Sequence, residues 1–77
     1  MPTLLLQDGF KFFFYANEHE PRHIHVTKGE GFAKIELAGL RVINSHLKPS
    51  ELRKALSLVE KNKTTFEGKW DEYFSKR

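Results

Sequence analysis

Two histidines one residue apart, His23 and His25, follow closely on Asn17, Glu18, His19 and Arg22. On an extended strand, residues i and i+2 point the same way, so the two imidazoles share a face. Three chemistries suit such a pair. Imidazole is a good ligand for zinc, copper, nickel or iron, but a closed metal site needs three or four ligands. His19, Glu18 or Glu36 would have to supply the rest, and two-His spacing alone assigns neither a metal nor any other cofactor. In the second chemistry one imidazole is a general acid or base, and Arg22 or Lys34 stabilises a developing negative charge. That is the equipment of a metal-independent ribonuclease, in which a 2′-hydroxyl attacks its own phosphate. In the third, the histidines are polar strand residues that are hydrogen-bonded or solvated. The catalytic candidates are therefore His23, His25, His19 and Arg22. Asn17, Glu18, Lys34 and Tyr15 are candidates for binding.

The elements that must position these side chains can be read from period and punctuation. Thr3 to Gln7 is an apolar run closed by Asp8-Gly9, a strong two-residue hairpin signal. Phe10 to Ala16 is an aromatic strand whose Phe13 makes it apolar on both sides. Asn17 to Pro21 is polar and breaks it. From Arg22 to Lys28, Ile24 and Val26 oppose His23, His25 and Thr27. From Phe32 to Ala38, Ala33, Ile35 and Leu37 oppose Lys34 and Glu36. Gly29-Glu30-Gly31 and Gly39 offer turns, and Leu40 to Ile43 gives a short last strand. The period then changes. Leu52, Ala55, Leu56 and Val59 recur at helical spacing behind Pro49, which suits a first helical turn. Phe66, Trp70, Tyr73 and Phe74 form a second helical stripe. The capping-box spacing of Thr64 and Glu67 predicts a new start near residue 64, with a break or kink at residues 62–65.

The expected fold is α+β: an antiparallel sheet of four to five strands over residues 3–44, with one or two helices over residues 49–75 packed on one face. Residues 1–77 are one domain's worth of chain. Leu4-Leu5-Leu6 is a candidate exposed edge, open to a partner protein or to a second copy of the chain. No apolar run approaches the roughly 20 residues of a membrane span. The first residues lack a signal-peptide pattern and there is no cysteine, so a cytoplasmic setting without a membrane is expected. The net charge of +3 comes wholly from residues 45–77, because residues 1–44 hold five bases and five acids. Nuclease faces usually carry a basic footprint, and this neutrality counts against one here.

Gly9 to Tyr15, Asn17 to Val26 with its Pro-x-His-x-His-Val, Pro49-x-Glu51-Leu52-Arg53 and the closing Trp70-x-x-Tyr73-Phe74 make a combined pattern. It resembles the small bacterial proteins of the domain-of-unknown-function 4160 family, over essentially the whole chain. That resemblance implies a toxin-like member of a two-gene toxin–antitoxin module, with an antitoxin-like protein as partner and RNA as target. Residue by residue it points to Asn17, Glu18, His19, Pro21, His23 and His25. The family usually has a small residue or Pro where this chain has Arg22, so Arg22 has no support from it. A non-enzymatic interaction module is the competing reading.

Overall fold

The computed structural model describes residues 3–15 and 21–74. Five strands come first: β1 (Thr3–Gln7), β2 (Phe10–Phe13), β3 (His23–Lys28), β4 (Gly31–Glu36) and β5 (Arg41–Ser45). Two helices follow, α1 (Pro49–Lys61) and α2 (Lys63–Phe74). The strands form one antiparallel meander in the order β1-β2-β3-β4-β5. The α+β expectation stands, with five strands rather than four. The last strand runs on to Ser45, two residues past the expected Ile43.

The first turn shows how local chemistry sets the register. Gln7 pairs with Phe10, so Asp8 and Gly9 alone reverse the chain. Both adopt positive φ, +55° and +84°, as a type I′ turn requires. Between β4 and β5 the left-handed residue is Leu40, φ +53°, rather than the neighbouring Gly39. A leucine there is strained, and its side chain packs against the core.

Cross-strand partners in an antiparallel sheet share a face. Phe12, Val26, Ala33 and Ser45 line up across β2 to β5, as do Ile24, Ile35 and Val42 across β3 to β5. These rows carry the core, together with Phe10, Phe14 and Leu37. Ala55, Leu58 and Val59 of α1 and Phe66 and Trp70 of α2 close over it. Phe12 meets Phe66 at 5.6 Å between ring centroids, and Phe14 meets Trp70 edge-on at 5.1 Å. The doubly apolar second strand is thereby oriented: Phe10, Phe12 and Phe14 face the helices, and Phe13 faces away with Lys11.

Helix α1 starts as its sequence suggests. Pro49 occupies the first turn, and the Glu51 carboxylate accepts from the Lys48 N–H at 3.1 Å. The break falls on a single residue, Asn62, with φ −111° and ψ 14°. Its side-chain amide donates to the Leu58 carbonyl at 2.8 Å, while its own carbonyl accepts from Phe66 N–H at 2.8 Å. The second helix therefore starts at Lys63, and Thr64 lies inside it instead of capping it. Glu67 turns to Arg22 and Lys63.

Two substitutions test this account. In α2, a Cβ at Gly68 would meet nothing within 4 Å. Gly68→Ala should raise stability by roughly 0.5–1 kcal/mol through helix propensity. At Gly9, with φ +84°, a Cβ would come within 3.0 Å of Lys28 Nζ. Gly9→Ala should lower stability by about 1–2 kcal/mol. Urea unfolding of both variants beside the wild type checks the opposite signs.

Candidate functional site

The sheet face turned away from the helices carries the His-x-His pair. Its rows follow from register: Phe13, His25, Lys34 and Asn44 form one, and Leu6, Lys11, Thr27 and Phe32 the next. His23, Glu36 and Arg41 form a third. At one end of this face Trp70 of α2 packs on His23.

Packing within the face is aromatic. His25 stacks on Phe13, with centroids 5.5 Å apart and planes 21° apart, and meets Tyr15 edge-on at 4.6 Å. Tyr15 also meets Phe13 edge-on at 5.2 Å, and the Lys11 ammonium lies 5.6 Å from the Phe13 centroid. Phe13 is left only 5% exposed although it points away from the core. Tyr15 is 49% exposed and His25 is half-buried. The ring cluster lets a large apolar side chain sit on a wet face without meeting much water.

His23 occupies a different setting. It meets His25 edge-on at 5.3 Å and Trp70 at 5.0 Å, at the sheet end that α2 wraps. It is only 4% exposed. Its Nδ1 lies 2.8 Å from the Pro21 carbonyl oxygen. A carbonyl can only accept, so Nδ1 carries the hydrogen and the lone pair of the neutral ring is on Nε2. Next to it, Arg22 reaches across to α2, with its guanidinium 3.1 Å from the Asp71 carboxylate and 3.7 Å from that of Glu67. Arg22 is a tie between the sheet and α2.

The fold thus gathers Tyr15, His23, His25 and Lys34 of the candidate residues, and turns Arg22 to the rim. Asn17, Glu18 and His19 lie outside the described residues. Among the described residues, no three metal-ligating side chains converge. Glu36, a candidate third ligand, forms a 2.8 Å ion pair with Arg41. Among the described residues, surface clefts also lie elsewhere. One of about 470 Å³ sits between the β3–β4 turn and the start of α1 and includes Lys28, His46 and Lys48. Another, about 410 Å³, lies between Leu40 and Leu56. Phe13 and Trp70 are the site residues that sequence reasoning missed. Helical spacing marks Trp70 only for the core, and the position of Phe13 between Lys11 and Tyr15 is the signal that assigns it to the polar face.

The contrast between the histidines predicts unequal costs. His23→Ala should destabilise the fold by about 2–3 kcal/mol, through a cavity under Trp70 and a lost hydrogen bond. His25→Ala, at a half-buried position, should cost about 1 kcal/mol or less. Chemical denaturation of the two single variants measures the difference.

The family model for a domain of unknown function, DUF4160, matches residues 9–71. No curated protein and no solved structure matches the chain.

Proposed function

The chain belongs to the DUF4160 family, whose description carries no activity, and from that premise we propose a toxin-like member of a toxin–antitoxin pair that acts on RNA. The working surface is the sheet face away from the helices. The observation that carries this reading is the grouping of Tyr15, His25 and Lys34 on that face, with His23 behind His25. His25 is the proton-exchanging group. It takes the proton from a ribose 2′-hydroxyl as that oxygen attacks the adjacent phosphorus. The Lys34 ammonium stabilises the charge gathering on the phosphate oxygens. The bond to the 5′-oxygen breaks, and that oxygen takes a proton from water. No metal enters the step. His23 is a positioning residue, since its ring is nearly sealed from solvent and its Nδ1 is engaged with Pro21.

Three of the five acids in residues 1–44 lie among the described residues; Glu18 and Glu20 do not. Of the acids in residues 1–44, Asp8 and Glu30 lie in turns, and Glu36 is paired with Arg41. Lys11 and Lys34 stand on the working face itself.

A second reading, a non-enzymatic interaction module, is favoured by the edge strand β1. Among the described residues β1 ends the sheet order, and Leu6 is 71% exposed. An extended segment of an antitoxin-like protein would add to such an edge.

Induced expression in bacteria separates the two readings. The wild type should slow growth and leave cleaved RNA ends bearing cyclic phosphate, and His25→Ala should restore growth. Full growth and intact RNA with the wild type would remove the ribonuclease reading. Capture of a partner protein that survives His25→Ala and is lost on Leu6→Lys would favour the module.

A further inference from the structure

The face bearing His25 has a second aromatic position that the acid–base reading does not use. Phe32 is 45% exposed on the same face, and its ring packs on that of His46 at 4.5 Å, with planes 32° apart. Its cross-strand partner is Thr27, whose own partner on the other side is Lys11. Phe32 therefore lies two strands from β2, about 10 Å across the sheet. Tyr15, the other exposed ring of this face, lies four residues along the chain from Lys11. The two aromatic positions occupy diagonal corners with His25 between them, and Lys11 and Lys34 flank that diagonal on either side.

Exposed rings with lysines flanking the line that joins them suit a single-stranded nucleic acid. Every base has a face that stacks on an aromatic ring, and the backbone between two stacked bases carries phosphates for the ammonium groups. The acid on this face, Glu36, is engaged by Arg41 at 2.8 Å, so the lysines stand unopposed by it. A protein segment could also cover exposed rings, but charge complementarity favours the polyanion.

We propose that this face binds two to three nucleotides of single-stranded RNA along the diagonal, one base stacking on Tyr15 and another on the Phe32–His46 pair, with Lys11 and Lys34 on the phosphates between. The proposal rests on the reading that RNA is the target. It adds a binding track that carries the strand past His25 and Lys34.

The test uses the full chain and a fluorescein-labelled eight-nucleotide oligouridylate, with fluorescence anisotropy at several salt concentrations. The wild type should bind, with a log–log salt slope of about −1.4 for two neutralised phosphates. Phe32→Ala should weaken binding about tenfold. Phe32→Tyr should retain it, and Lys34→Gln should cut the slope by about half. Far-UV circular dichroism and the unfolding midpoint identify any variant whose fold has changed, and the Phe32→Tyr and Lys34→Gln results then decide. No binding by the wild type overturns the proposal. So does binding that Phe32→Ala, Phe32→Tyr and Lys34→Gln all leave equal. Binding by wild type and His25→Ala without cleavage by either removes the catalytic reading and leaves the track. Cleavage unchanged in Phe32→Ala and Lys11→Gln removes the track and leaves the catalytic reading.

Discussion

Two helices of 13 and 12 residues must cover a five-stranded sheet, and they can cover only one face of it. Every other feature answers to that constraint. The rows Phe12-Val26-Ala33 and Ile24-Ile35-Val42 turn toward the helices because that is where apolar area can leave water. Strand alternation then forces His23, His25, Lys34 and Glu36 to the other side. A polar face is the geometric remainder of the core, and only its particular residues distinguish a working surface from a solvated one.

At the end of β3 the two faces are joined rather than separated. Trp70 touches Phe14 on the core side and His23 on the other, and Arg22 holds the same part of α2 through Asp71 and Glu67. Tyr15, Phe13, His25, His23, Trp70 and Phe14 follow one another in ring contact around the sheet end. Helix α2 is thereby anchored to the strand that carries the histidines, so the position of the His23 ring and the seating of the helix depend on each other.

The sheet was readable because its signals are local. Asp8-Gly9 demands a tight hairpin, and alternation in β3 and β4 identifies which side chains share a face. Asn62 interrupts two helical stripes that would otherwise nearly align. The setting of His23 was not readable, because alternation assigns a side but says nothing of a tryptophan arriving from 47 positions later. The ion pair of Arg22 with Asp71 spans 49 positions and is invisible for the same reason. Alternation puts Phe13 on the side of Lys11 and Tyr15, but its packing there also depends on His25 from another strand, which no local pattern reveals. The left-handed backbone fell on Leu40 rather than Gly39 because the packing of the Leu40 side chain offsets the local strain.

The strand order has a consequence for synthesis. In a meander each strand pairs only with its neighbours in sequence, so all five can associate as they leave the ribosome. The residues that bury them, from Ala55 to Trp70, come last. At about 5–20 residues per second, the nascent sheet shows Phe10, Phe12, Ile24, Val26 and Ile35 to solvent for a few seconds before its cover exists. During that interval it is a substrate for chaperones or for neighbouring nascent chains, and the rate of elongation through α1 and α2 sets how long the exposure lasts.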